Sequence, residues 1–243
     1  MVLVTAFVAT ALSSMSGGGA SVINIPVLLS LGVPFPIATA TQKLSSAFWV
    51  LPAACNYLRG RKLNWAFVLL FAFVGLFGSY LGVVFVISFN TRLMQQLIGA
   101  LIIALVIYTH FKKDVGINET VVLSKFRKLI TYPAALLLGF YESIFGAGNG
   151  ILFSAVAIYG RGFDFINALG YYYVVAFFWV CFAATLLIAK GYYDTSVMVP
   201  AVIGSIIGGY TGSRYARYKG SRFLKLVFVI IGGLLGLKLV LGL

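Results

Sequence analysis

Two glycine-dense, polar stretches interrupt the apolar regions of this chain. Residues 13–21 read SSMSGGGAS and residues 146–150 read GAGNG, and apolar segments flank both. Nothing in a bilayer hydrogen-bonds free backbone groups, so a broken helix survives at membrane depth only if it is buried in protein or lines a cavity. We therefore expect the rest of the chain to hold the two breaks near each other.

The composition indicates an all-α polytopic membrane protein with the lipid bilayer as its partner. Only 9% of the 243 residues are charged, whereas a soluble domain has about 25%. Six apolar segments reach the ~20 residues that a helical span needs. They are residues 37–58, 65–88, 92–111, 166–189, 195–215 and 222–242. The net charge of +13 lies in short loops, which is typical of topology determinants and not of a nucleic-acid surface.

The two halves of the chain are similar in sequence. A shift of 130 positions lays Trp49 on Trp179, Arg92 on Arg222, Gly78 on Gly208 and Gly82 on Gly212. A matched tryptophan and a matched arginine in one register predict an internal repeat. We assign residues 1–111 to the first repeat, 112–128 to a polar linker and 129–243 to the second repeat.

Basic residues in the loops predict the topology. Residues 59–62, the linker 112–128 and residues 214–225 are rich in Lys and Arg, so we expect them to be cytoplasmic. Residues 90–92 and 190–194 carry one positive charge each and are expected outside. With this assignment both termini are external, and the protein lies in the cell inner (plasma) membrane.

This topology requires two re-entrant hairpins. Residues 160–162 must be cytoplasmic, so residues 130–160 enter and leave on the same side; 31 residues are too few for two spans, which need about 40. By the same argument residues 1–31 form a hairpin that enters from outside. Each repeat would then contain one broken hairpin and three transmembrane helices, and the repeats would be inverted, as in many secondary transporters.

The glycine breaks are the first candidate binding site. A helix that starts at such a break presents free N–H groups and its positive dipole end, which suit an anion. The predicted binding residues here are Ser14, Ser16, Gly17, Gly18, Gly19, Gly146, Gly148 and Asn149. The alternative, that glycine only permits close helix packing, fits better for Gly75, Gly78, Gly82, Gly204, Gly208 and Gly212.

Lys43 and Thr41 extend this candidate site. Lys43 lies seven residues into its apolar segment, about 10 Å deep by helix rise, and the surrounding side chains are polar. Its alternative role is to reach the external interface with its long side chain. In the second half, Tyr171 and Tyr173 occupy the positions that match Thr41 and Lys43. They are candidate gate residues, or part of an interfacial aromatic belt formed by residues 171–173.

Glu142 is the acidic residue inside an apolar segment, and intramembrane carboxylates are functional candidates. It could pair with Lys43, carry a coupling proton, or cap free N–H groups at the second break. No catalytic constellation can be assembled, because the chain has one histidine, His110, and no paired carboxylates. Cys55 and Cys181 lie in separate apolar segments. We therefore predict no enzyme activity, no cofactor and no metal site.

The two breaks resemble the paired motifs of the TauE/SafE family of sulfite and organosulfonate exporters. In that family a GGG run leads to a proline, a G and an A-T-x-K-L-type segment, and this chain has GGGASVINIPVLLSLGVPFPIATATQKLSS followed by RGRKLNW. The second motif is usually closer to GFYDGFFGPGTG, and this chain has GFYESIFGAGNG. The resemblance covers nearly the whole chain.

Most motif positions match this family, with departures in the second half. The matching residues are Gly17, Gly18, Gly19, Pro26, Thr41, Lys43, Gly146 and Gly148. Glu142 stands where Asp is common, and Ala147 and Asn149 replace the usual proline and threonine. Residues 168–173 read ALGYYY where the family has a polar A-T-G-H-x-K pattern. These departures affect the prediction of the substrate more than the prediction of the fold.

The resemblance implies a secondary transporter that exports a small anion, such as sulfite, an organosulfonate or a related sulfur-containing anion. Alternating access with the site between the two broken hairpins is the expected mechanism. The rival hypotheses are a passive anion channel and a non-transporting membrane assembly or interaction protein. The protein could also form a homodimer, because glycine-rich helix faces allow two copies to pack closely. The same faces serve packing within one chain equally well.

Overall fold

The structure is a computed structural model that describes part of the chain. Residues 1–88, 124–144 and 146–220 are described continuously, with single residues between 100 and 118 and between 222 and 241. The predicted spans 92–111 and 222–242 are described only at single residues. The loop 90–92 and most of the linker 112–128 lie outside the described residues.

Within the continuous ranges every regular element is an α-helix, which confirms the all-α class for this part of the chain. The helices are α1 (Val2–Ser16), α2 (Ala20–Ser30), α3 (Phe35–Leu58), α4 (Trp65–Ser88), α5 (Lys125–Leu129), α6 (Thr131–Ile144), α7 (Asn149–Arg161), α8 (Phe165–Ala189) and α9 (Thr195–Lys219). By length and hydropathy, three described stretches can cross a membrane: Trp65–Phe85, Phe165–Ala189 and Thr195–Lys219.

Helix α3 has the length of a span but not the hydropathy. It contains 24 residues, yet it is not among the described helices that are apolar enough to cross a membrane. Its first half carries Thr39, Gln42 and Lys43, all of which are buried. The polar side chains of α3 therefore face protein and not lipid, which explains how a helix of this composition sits among apolar neighbours.

Both broken segments fold back on themselves. Val2 and Thr5 at the start of α1 line one cavity together with Val27 at the end of α2. In the second segment, Arg161 Nη2 at the end of α7 donates to the Tyr132 hydroxyl at the start of α6, at 2.8 Å. The two arms of each segment thus lie close together, whereas their re-entrant course in a membrane and the side from which each enters remain predictions.

Each hairpin packs its first arm against a helix from the other half of the chain. Helix α1 lies along α9, and α6 lies along α4. A Cβ added to Gly208 would collide with the Phe7 carbonyl, and one added to Gly78 would collide with the Leu136 carbonyl. These glycines allow the backbones to touch, so the predicted packing role of the α4 and α9 glycines is confirmed.

Several basic loops meet at one end of the molecule. Arg61 binds both carboxylate oxygens of Asp164, at 3.1 and 3.0 Å, and joins the α3–α4 loop to the start of α8. Arg217 near the end of α9 donates to the Arg59 carbonyl at 2.7 Å. Residues 59–62, 160–164 and the end of α9 therefore share one end, as the loop charges predicted.

Replacing Gly78 by Ala should destabilise the protein, because the new methyl group overlaps the α6 backbone and neither helix can retreat without losing contacts. We expect a loss of about 1–3 kcal/mol, in the range of overpacked cores. Thermal unfolding of the purified protein in detergent measures it. The matched control is Gly233→Ala, where the added Cβ meets Val106 Cγ1 at 3.9 Å. Equal melting temperatures for the two variants would contradict the packing argument.

Candidate functional site

The two glycine breaks touch each other through their backbones. A Cβ on Gly18 would lie 2.9 Å from the Gly148 nitrogen, and one on Gly17 would lie 3.1 Å from the Gly150 carbonyl carbon. Gly17, Gly18 and Gly148 also have φ values of 83°, 134° and 73°, which side chains rarely adopt. The prediction that the breaks lie near each other is confirmed, and glycine is required there both for conformation and for space.

A central cavity lies beside the place where the two breaks touch, which we call the crossing. The space inside it and at its mouth, open solvent included, is about 360 Å³, and Gly18, Gly19 and Gly146 form part of its wall. Its polar lining consists of Ser13, Ser21, Gln42, Lys43, Ser46, Trp49, Glu142 and Tyr172. Helix α2 starts in this wall, and no described side chain caps its N-terminus at Gly19. Its first-turn N–H groups lack acceptors within the helix.

A buried ion pair crosses the cavity. Lys43 is only 2% exposed, and its ammonium group donates to the backbone carbonyl of Glu142 and lies 3.7 Å from Glu142 Oε1. These contacts support the first of the three roles considered for Glu142, which is to pair with Lys43. The alternative in which Lys43 reaches the external interface is wrong, because its side chain is enclosed by protein.

The second oxygen of Glu142 is also engaged. Glu142 Oε2 accepts from Asn149 Nδ2 at 2.7 Å and from the Tyr172 hydroxyl at 2.8 Å. Burying two charges is tolerated when they are paired and their remaining polar atoms are hydrogen-bonded. As an ion pair, Lys43 and Glu142 cancel in charge, so a bound anion must compete with Glu142 for the ammonium group.

Trp49 is a cavity residue that the sequence marked only as a repeat position. Its indole nitrogen is buried and has no hydrogen-bond partner among the described residues. The matching residue, Trp179, donates from Nε1 to the Ala72 carbonyl at 2.9 Å. Trp179 therefore has its donor satisfied, while Trp49, which lines the cavity, has an indole donor without a partner among the described residues.

Not all of the predicted binding residues line the central cavity. The Ser14 hydroxyl donates to the Ala11 carbonyl at 2.9 Å and lies against Gly212 of α9, and the Ser16 side chain lies outside the described residues. Gly17 and Gly148 belong to the crossing itself. Asn149 contributes through Glu142, and its Oδ1 atom has no partner in the described part of the chain.

Thr41 lies in a second cavity, which we call the outer cavity. It is lined by residues of α1, α2, α3 and α9, and Gln42 borders both cavities. The sequence pointed to Thr41 and Lys43 together because they are close in sequence. On a helix, residues two positions apart point in different directions, and the structure divides them between the two cavities.

The tyrosines of residues 171–173 are all buried, so the interfacial-belt interpretation is wrong. Tyr173 donates to the Ser14 carbonyl at 3.1 Å. Tyr171 accepts from the Asn64 backbone nitrogen at 2.7 Å, at the end where the basic loops meet. Tyr172, which the repeat alignment did not select, is the tyrosine that reaches Glu142 and the central cavity. A gating role for Tyr171 and Tyr173 remains a prediction.

Comparison with known proteins identifies the family. The sequence model of the sulfite exporter TauE/SafE family matches residues 2–239. The chain belongs to this family. The predicted resemblance is thereby confirmed over nearly the whole length of the chain. No solved structure matches the chain significantly.

Curated relatives of this TauE/SafE protein carry transporter names. A "Probable membrane transporter protein" of Haemophilus influenzae is 28% identical over 242 residues, which cover 96% of this chain and 91% of the relative. "Probable membrane transporter protein ORF9" of Sinorhizobium sp is 28% identical over 238 residues, covering 97% and 90%. "Probable membrane transporter protein YfcA" of Escherichia coli K12 is 23% identical over 238 residues, covering 96% and 86%. Family and relatives support a membrane transporter and not an enzyme.

Among the described residues no three His, Cys, Asp or Glu side chains are grouped to hold a metal ion. The described groups that line the TauE/SafE site offer hydrogen bonding and charge. Donors come from Lys43, Trp49 and the start of α2, and the negative charge comes from Glu142.

Lys43→Met should destabilise the protein because it leaves Glu142 buried without its cation. Removing one partner of a buried pair costs about 3–5 kcal/mol. The double variant Lys43→Met with Glu142→Gln should recover part of this loss, since neither charge remains. Thermal unfolding of the wild type, Lys43→Met, Glu142→Gln and the double variant measures the coupling. If the loss of stability in the double variant equals the sum of the losses in the two single variants, the pair contributes no coupling.

Proposed function

We propose that this protein is a secondary transporter of a small oxyanion of sulfur, such as sulfite or an organosulfonate, and that the anion binds in the central cavity. The observation that carries the proposal is the convergence of three kinds of donor there. These donors are the start of α2, which no described side chain caps, the Lys43 ammonium group, and the Trp49 indole, whose nitrogen has no partner among the described residues; all three residues or segments line one cavity.

This set of donors suits an anion with several oxygen acceptors. Free N–H groups and the positive dipole end at the start of a helix bind sulfate- and phosphate-like groups. Lys43 adds an ammonium donor for which the anion competes with Glu142, and the serine hydroxyls of the wall can donate as well.

The reciprocal packing of the hairpins supports alternating access between two inverted repeats, residues 1–111 and 129–243. Gly78 meets Leu136, and Gly208 meets Phe7. These contacts are related by the same shift of about 130 positions that aligns the two halves. In the proposed cycle α3 and α8, which pack against each other, rock against the hairpins and expose the cavity to one side at a time.

The proposal includes a topology and a direction. Residues 112–128 face the cytoplasm, both termini face outside, and the anion moves outward across the inner membrane. The basic loops that meet at one end support this orientation, because Lys and Arg concentrate on the cytoplasmic side.

A binding and flux experiment tests the proposal. Sulfite and methanesulfonate should raise the melting temperature of the purified protein, because a ligand that binds only the folded state stabilises it. Vesicles that contain the protein should exchange labelled sulfite faster when unlabelled sulfite is present on the opposite side. A channel would lack this acceleration. The absence of both stabilisation and flux would overturn the proposal.

Trp49→Phe should weaken anion binding, whereas Trp179→Phe should not. Both changes remove the same indole ring atoms, so their difference isolates the role of each N–H group. Loss of one hydrogen bond to an anion predicts an affinity about ten times lower for Trp49→Phe. Trp179→Phe should instead lower the melting temperature of the ligand-free protein, because the Ala72 carbonyl loses its donor. A pair of variants that bind sulfite equally well would remove Trp49 from the site.

Glu142→Gln tests the proposal that Glu142 carries a coupling proton. Lys43 and Tyr172 are the titratable groups on neighbouring helices that contact this carboxylate, and the neutral Asn149 side chain donates to it as well. A methanesulfonate flux measured over a pH series should depend on pH in the wild type and lose that dependence in the variant. Methanesulfonate keeps its charge throughout, so the pH acts on the protein. An unchanged pH profile in the variant would assign Glu142 a purely structural role.

A further inference from the structure

The outer cavity lies beside the central one and leads to the protein surface. The space inside it and at its mouth, open solvent included, is about 240 Å³. Val2, Thr5 and Val27 line its wall and are half-buried, so this part of the cavity is accessible from outside. Thr41 and Gln42, in contrast, are buried at its inner end.

Gln42 forms the partition between the two cavities, because it lines both of them. Its Oε1 atom accepts from Asn24 Nδ2 at 2.9 Å, and its Nε2 atom donates to Ser46 Oγ at 3.2 Å. Asn24 lines the outer cavity and Ser46 lines the central one. A chain of neutral hydrogen bonds therefore runs from one cavity to the other through a single side chain.

Thr41 gives the outer cavity an unused polar group. It is fully buried, and its hydroxyl has no hydrogen-bond partner within the described part of the chain. A buried donor without a partner costs about 1–3 kcal/mol, and the cavity beside it provides room for a polar ligand atom. The described lining of this cavity contains hydroxyl and amide groups but no charged side chain.

We propose that the outer cavity is a second, weaker site for the same oxyanion, which it occupies in transit between the surface and the central cavity. This inference rests on the proposed function. Thr41 donates to the anion in this site, and Gln42 exchanges its bonds with Asn24 and Ser46 as the anion passes. The site is weaker because it lacks the cation that Lys43 supplies to the central cavity.

The opposite end of the structure is built differently. Tyr171 occupies the position that matches Thr41 in the second half. Its ring packs on Phe163 with 4.6 Å between centroids, and its hydroxyl accepts from the Asn64 nitrogen. A large, bonded side chain thus stands where the first half has a small one with a free hydroxyl. This difference supports a path that is open towards the hairpin of α1 and α2.

Thr41→Val tests the inference, with Thr39→Val as its matched control. Both threonines are on α3, both are fully buried, and neither hydroxyl has a partner among the described residues. Thr39 lines neither of the two cavities. The change to valine keeps the shape of the side chain, so both variants should fold.

The readouts are the exchange rate of labelled sulfite in vesicles and the stabilisation of the purified protein by sulfite. For Thr41→Val we expect exchange about five times slower, as for one lost hydrogen bond, with wild-type stabilisation, because the central cavity is intact. Thr39→Val should behave like the wild type in both assays. Exchange at the wild-type rate in Thr41→Val, or equal slowing in both variants, would overturn the transit site while leaving the proposed function standing. A wild-type protein that neither binds nor exchanges sulfite would overturn both.

Discussion

The direct contact between the two glycine breaks is the constraint on which the rest of the structure depends. Gly17 and Gly18 meet Gly148 and Gly150 backbone to backbone, which requires two helices to end and two to begin at the same depth. The hairpins fix where α2 starts. Because α6 also ends there, Glu142 is held beside Lys43. The central cavity is the space that the helix ends leave unfilled next to the crossing.

Much of this arrangement could be predicted from the sequence, because it depends on strong local signals. A GGG run beside serines is difficult to explain inside a continuous membrane helix, so it identified the first break. Loop charges and segment lengths predicted that the segments around both breaks fold back. The spacing of the α4 and α9 glycines predicted close packing, although their actual contacts, with α6 and α1, came only from the structure.

The details of the site depend on long-range geometry that the sequence does not encode locally. Lys43 and Glu142 are 99 residues apart, so their pairing was one of several alternatives. Tyr172 and Trp49 were missed as site residues because aromatic residues in apolar helices usually serve packing. Ser14 was assigned to the site by its proximity to the break, but its position on the helix directs it towards α9. The polar half of α3 signalled a buried site, yet it gave no indication that two cavities share it.

The packing of α1 against α9 has a consequence for biosynthesis. Residues 2–16 are synthesised before the helix that covers them, Thr195–Lys219, and helices α2 to α8 lie between the two in the sequence. Domains generally fold from the N-terminus during synthesis, and contacts between distant segments form late. The face of α1 that packs on α9 therefore stays uncovered by its partner until α9 has been synthesised. The two halves of the chain depend on each other for their packing, so the first hairpin reaches its final contacts only after the second half has been made.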